Sequence, residues 1–212
     1  MKLLAIIGAG DLGQLIAYHA SLKSDFKVVG YYDDSRPKGQ LVNSFPVLGD
    51  LSEIDDHFEK GLFSCLMIGI GYNHMAFRRS CFVNFKSKIP FASIVHDSVI
   101  VDSSANLGEG VFILPGCVLD QNVTIGENVL LNTGCVIAHD SIVKSHSFLS
   151  PAVAMAGKSI VGESCIIGIN TTIIDNVTIS DEIRTGGGSV VIENLDRKGL
   201  YVGVPARFKR AL

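Results

Sequence analysis

The chain has 212 residues, 47% of them apolar and 18% charged, with a formal net charge of −3. That balance excludes a disordered polymer, and without a Lys/Arg-rich stripe it argues against a nucleic-acid partner. No run approaches the roughly 18 apolar residues that span a bilayer, and the five cysteines, an odd number without a C-x-x-C pair, read as reduced thiols of a cytoplasmic protein rather than a disulfide frame or a zinc site.

The opening MKLLAIIGAG carries one lysine and a short apolar run before its glycines, which reads as a first strand rather than a signal peptide. DLGQLIAYHASLKS (11–24) has helical spacing at Leu12, Leu15, Ile16, His19 and Ala20. KVVGYYDD (27–34) and CLMIGIG (65–71) read as further strands, and HMAFRRSCFVNFKS (74–87) as a helix. This alternation predicts a parallel sheet with crossover helices over residues 1–90. Residues 33–48 and 71–76 read as loops, and Arg78 and Arg79 as a solvated helix face in preference to anion ligands.

IIGAGDLG places Gly8, Gly10 and Gly13 between strand and helix, a spacing that lets backbone N–H groups and a helix N-terminus approach a phosphate. Asp33 and Asp34 end the next strand, where a carboxylate holds a ribose or base edge or simply meets solvent. Asn73 either bonds a nucleotide or caps the helix that follows it. The region is too short for two mononucleotide-binding halves, which disfavours a dinucleotide oxidoreductase. Half of such a fold, holding one nucleotide, fits best, with a purely structural turn as the alternative.

From Val95 the rhythm changes. An apolar side chain recurs at every sixth position through Val101, Leu107 and Ile113 to Ile179, fifteen in phase, with a chance probability on the order of 10⁻⁵ at this composition. From the second beat on, a small or β-branched residue sits two places earlier, Cys117, Cys135, Ser141 and Thr171 among them. Neither a helix nor a simple strand has a period of six. A triangular parallel β-helix does: one short strand per side, a turn at each corner, and each inward side chain stacked on the one eighteen residues away. Cys117 and Cys135 then stack as small core fillers. His139 lies two places past the inward Ile137, at or near a corner and off the core, as a base, a surface histidine or a subunit contact. Gly157 lies one coil further on, where stacking brings its N–H beside His139.

The sextets, together with NTGCVIAHD (132–140) and the closing GGGSVVIENLDRKGLYVGVPAR (186–207), resemble the hexapeptide-repeat acyltransferases. The whole chain resembles their two-domain branch, which includes N-acetyltransferases of nucleotide-linked amino sugars and sialic acid O-acetyltransferase-like proteins. The resemblance implies an N-terminal half-Rossmann parallel sheet followed by a left-handed parallel β-helix. Residues 1–90 would bind the nucleotide sugar and residues 91–212 acetyl-CoA. It implies His139 as general base, oriented by Asp140, since histidine titrates near neutrality. It places Gly8, Gly10, Gly13, Asp33, Asp34, Gly71 and Asn73 around the nucleotide and Asn132 near the sugar. Gly157 would donate to the thioester carbonyl, Gly187 would admit the pantetheine arm, and Arg207 would meet the phosphates of CoA. The family's second histidine, which touches acetyl-CoA, corresponds here to Phe148. His146 is the nearby candidate, so a slipped corner, another thioester contact or reduced activity all stay open. The resemblance further implies a homotrimer with shared sites and no metal. Sialic acid O-acetylation and a non-catalytic accessory role are the alternatives.

Overall fold

The computed structural model describes all 212 residues and divides into two compact units, Met1–Ile94 and Val95–Leu212. The first runs β1 (Lys2–Ile7), α1 (Asp11–Ser21), β2 (Phe26–Tyr32), β3 (Leu41–Val42), β4 (Phe45–Gly49), α2 (Ile54–Glu59), β5 (Cys65–Ile68) and α3 (Met75–Lys86). The sheet order is β3-β4-β2-β1-β5, with β1–β2, β1–β5 and β2–β4 parallel. Leu4, Ala5, Ile6 and Ile7 of β1 are fully buried, the continuous apolar run of a strand covered on both faces. β3 and β4 form an antiparallel hairpin turned by Asn43 and Ser44, both at positive φ. This hairpin falls in the segment whose pattern reads as loop, because a two-residue strand is too short to show a period.

The second unit is a parallel β-helix of short strands, most of them two residues long, pairing with the strand eighteen residues on until the last coil, where Arg184 pairs with Leu200. Val118, Val136, Ala154, Thr172 and Val190 are successive partners down one side. The first side has six strands, from Ile100–Val101 to Val190–Val191, and the second five, from Asn106–Leu107 to Thr178–Ile179. The third has eight and closes on Leu200–Val202 with antiparallel Arg207–Arg210. Every inward residue from Ile113 to Ile179 is at most 2% exposed. Val101 and Leu107, on strands paired on one side only, remain 37% exposed.

Three repeated backbone devices hold this register. The residue three places after each inward side chain adopts positive φ, at every sixth position from Gly110 to Gly188. From Asn128 on, its N–H donates to a carbonyl nineteen residues earlier, as Asp140 does to Gln121, His146 to Glu127 and Lys158 to His139, whereas Gly116 and Asn122 donate to the hydroxyls of Ser98 and Ser104. The small residues two places before the beat do more than fill space: Ser141 donates to the Ala156 carbonyl at 3.0 Å, Ser147 to Gly162 at 2.7 Å and Cys165 to Ser180 at 3.1 Å. Each thereby satisfies a corner carbonyl of the next coil. Register also outlasts the apolar pattern. Thr185 takes an inward place, accepting from the Gly168 N–H at 2.9 Å and bonding Thr171, so the beat fades before the coil ends.

Ile137→Ala is expected to destabilise the protein by about 2–5 kcal/mol through the cavity it leaves. Ser147→Ala, which orphans the Gly162 carbonyl, should cost about 1–3 kcal/mol. Denaturant titration of the two variants measures both.

Candidate active site

In the first unit, a cavity of about 380 Å³ opens at the carboxyl ends of β1, β2 and β5, where parallel sheets of this kind hold ligands. Gly8, Gly10, Asp33, Asp34 and Gly71 line it, with Tyr32, Ser35, Leu51, His74 and Phe77. Gly13 is not in its wall. A Cβ there would sit 1.9 Å from the Gly8 carbonyl oxygen, so Gly13 is what lets α1 pack against the turn. Asn73 is outside the wall too and caps nothing: His74 is the N-cap of α3, with no side-chain cap.

The two aspartates differ. Asp33 accepts from the Ala9 N–H at 2.8 Å on one oxygen and from Ser35 at 2.6 and 2.9 Å on the other, so its carboxylate buttresses the glycine turn. Burial opposes its ionisation, but the hydrogen bonds from Ser35 and Ala9 and the charge of Arg36 outweigh that and hold its carboxyl below the usual range. Asp34 accepts from the Leu51 N–H at 2.9 Å through one oxygen. Gln14 bonds the Ala9 carbonyl and is itself held by Asn43 of the hairpin turn.

Arg78 departs from the solvated face that the helix pattern suggests: it is 1% exposed. Its guanidinium donates to the carbonyls of Ile68 at 2.8 Å and Ile70 at 3.2 Å, and burial lowers its pKa to about 10, which leaves it charged at neutral pH. A trans peptide points its C=O and N–H in opposite directions. Drawing the Ile70 carbonyl onto Arg78 therefore turns the Gly71 N–H away from it, in a loop where Gly69, Ile70 and Gly71 all line the cavity.

In the second unit, His139 and Asp140 occupy the edge between the first and second sides. Asp140 is the left-handed residue of that corner, at φ 60°. The bend lets adjacent side chains meet, which an extended chain forbids: His139 Nδ1 lies 2.9 Å from Asp140 Oδ2. The other carboxylate oxygen accepts from Asn122 at 3.0 Å. The hydrogen bond to His139, then that to Asn122, hold the Asp140 carboxyl below the ordinary range, with the Lys158 charge acting in the same direction. Both side chains are reachable from solvent, 53% and 41% exposed. A Cβ on Gly157 would lie 2.5 Å from His139 Nε2, so the imidazole occupies space that only glycine leaves open. The interstrand ladder takes the N–H groups of Ala156 and Lys158 and passes over that of Gly157.

The remaining β-helix candidates do not join this edge. His146 is buried at the next corner, between the second and third sides, with Nδ1 3.1 Å from the Asn128 amide. Phe148, on the third side, is also buried. Asn132 sits at the third edge, its side chain accepting from the Thr133 N–H at 2.8 Å. Gly187 follows Thr185 at that same edge, where a Cβ would meet Ile169 Cγ2 at 2.9 Å. Arg207 pairs with Glu193, which lies two residues past Val191, a strand three coils beyond Ile137 on the first side. That is about 14 Å along the His139 edge at the usual strand spacing. No group of three or more His, Cys, Asp or Glu side chains is arranged to hold a metal ion. Asn122, Phe77 and Leu51 escape the sequence pattern, since each meets its site through neighbours distant in the chain.

Residues 3–84 match the family described as the PglD N-terminal domain, and residues 104–139 match the bacterial transferase hexapeptide repeat. Among solved structures, PerB from Caulobacter crescentus, in complex with CoA and GDP-perosamine, is 30% identical, with 98% of this chain and 97% of that one covered at a TM-score of 0.90. A histidine-to-alanine mutant of the GDP-perosamine N-acetyltransferase from the same organism, with the same ligands, is 29% identical over 98% and 96% at 0.91. The acetyltransferase domain of PglB from Neisseria gonorrhoeae, 24% identical over 99% and 100% at 0.90, shares the fold. The chain belongs to the acetyl-CoA-dependent, hexapeptide-repeat sugar acetyltransferases.

Removing the Arg78 head group would leave two carbonyls without their donor and a void beneath the cavity wall. Arg78→Met is therefore expected to destabilise the first unit by about 2–4 kcal/mol. Thermal unfolding against wild type measures this, and an unchanged Tm would contradict the assigned packing.

Proposed function

We propose that this enzyme N-acetylates a nucleotide-linked amino sugar, with His139 as general base and the amine attacking acetyl-CoA directly. The observation that carries the reading is the corner where His139 Nδ1 faces Asp140 at 2.9 Å and Nε2 faces the gap at Gly157. Neutral imidazole with its proton on Nδ1, toward the carboxylate, keeps an Nε2 lone pair for the substrate. As the amine nitrogen bonds to the thioester carbon, its proton passes to Nε2. Negative charge growing on the carbonyl oxygen meets the Gly157 N–H. The C–S bond then breaks, the electron pair leaves with sulfur, and the thiolate takes the proton from His139. The products are the amide and CoA, with no acyl-enzyme and no metal.

The first-unit cavity is the proposed nucleotide site. Gly10 in the glycine turn and the loop at Gly71 would present N–H groups to phosphate, with Asp34 beside ribose or base. Arg207 would exchange Glu193 for a phosphate of CoA, whose arm would run along the His139 edge. Asn132, His146 and Gly187 stand on other edges of the same β-helix, and a homotrimer in which one protomer's edge meets another's face supplies a way for them to share a site with His139. Exposed Ile100 and Val136 on the first side support such association. The setting is cytoplasmic synthesis of a bacterial surface glycan.

CoA release measured with UDP-, dTDP- and GDP-linked amino sugars should reveal one that turns over, and silence with all of them would overturn the reading. Acetylation of free sialic acid instead would assign O-transfer. His139→Ala should lower kcat by ~10²–10⁴, whereas a near-wild-type rate would remove it as the base.

A further inference from the structure

Asn122 stands at a left-handed corner, φ 58°, a position where Asn128, Asn170 and Asn176 also occur. Asparagine visits that conformation readily, which alone explains its presence at such a corner. Its side chain does something the backbone does not require. Nδ2 donates across one coil to Asp140 Oδ1 at 3.0 Å, while Oδ2 of the same carboxylate meets His139 Nδ1 at 2.9 Å. A carboxylate only accepts, so the amide must turn its NH₂ toward Asp140. The two oxygens are thus held by different donors, and Asp140 cannot swing without losing one. Asn122 is itself anchored, its N–H donating to Ser104 Oγ at 2.8 Å, and Ser104 in turn is fixed by Asp102 at 2.6 Å. A line of polar side chains therefore runs up through three coils and ends at the imidazole.

We propose that Asn122 is a positioning residue for the transfer reaction. It fixes the Asp140 carboxylate, which fixes the His139 tautomer with its proton on Nδ1 and its lone pair at Nε2 beside Gly157. Asn122 touches no substrate. Lys158 is the other charged group acting on Asp140, and it is on the coil beyond, so it does not replace the constraint from below. The inference rests on the reading of His139 as the base.

Asn122→Gly separates the two roles, because glycine accepts positive φ without cost and removes only the amide. The expected result is an unchanged Tm, unchanged KM for both substrates and a kcat lowered about 3- to 30-fold. The ¹⁵N shifts of the His139 ring should move from a single Nδ1–H tautomer toward a mixture. Asn170→Gly, the same change at a corner residue away from His139, should leave kcat and those shifts as in wild type. In an Asp140→Ala background, Asn122→Gly should have no further effect on kcat. Wild-type kcat and tautomer in Asn122→Gly would overturn the proposal, as would losses that multiply in the double variant. If Asn122→Gly lowers Tm, the double-variant comparison still decides, since each single change is then referred to its own background. His139→Ala measured in parallel keeps the outcomes distinct: full activity there would sink the base itself, whereas a lost rate there with an unaffected Asn122→Gly would sink only the positioning role.

Discussion

From Asn128 to Gly188, the N–H of each left-handed corner residue reaches back to a carbonyl nineteen residues earlier, and that bond sets the phase of the β-helix. With the corner fixed, the residue three places before it must point inward, and the residue just before it must stand at an edge. His139 is an edge residue for this reason, and Gly157 is its neighbour because one coil is eighteen residues. The cost of positive φ at non-glycine corners, of order 1 kcal/mol each, is offset by parallel ladders on three sides and by the continuous inward column from Ile113 to Ile179.

The same constraint arranges the chemistry. A left-handed Asp140 brings its carboxylate around to the preceding imidazole, and a left-handed Asn122 directly below brings an amide to that carboxylate. The glycine at 157 is required by the ring it faces rather than by its own backbone angles, since only the absent Cβ leaves room for Nε2. In the first unit, the backbone around the cavity is likewise held by side chains. Asp33 holds the Ala9 N–H, and buried Arg78 holds the carbonyls on either side of Gly69. In both units, side chains bonded from behind fix the main chain that borders the candidate site.

The β-helix was legible because its signal is a side-chain period that no other element produces, and the glycine turn because strand, turn and helix follow in order. Arg78 was not, since a helix pattern ranks charged residues as exposed and gives no sign that two carbonyls wait for a buried cation. The hydroxyl and thiol donors at Ser141, Ser147 and Cys165 read only as small residues, because their acceptors lie fifteen positions away. Asn122 and Asp140 are eighteen apart and look unrelated in the chain. Closeness in sequence misleads as readily: seven residues separate His139 from His146, enough to carry the chain across a full side to another edge.

We propose that one edge of the β-helix, running from His139 past Gly157 toward Glu193, holds the thioester. A crystal structure of the protein with CoA tests it directly. The CoA sulfur is expected within hydrogen-bond reach of His139 Nε2 and beside the Gly157 N–H, with the arm extended toward Arg207. A sulfur bound away from His139, beside Asn132 or His146 of the same protomer, would contradict it.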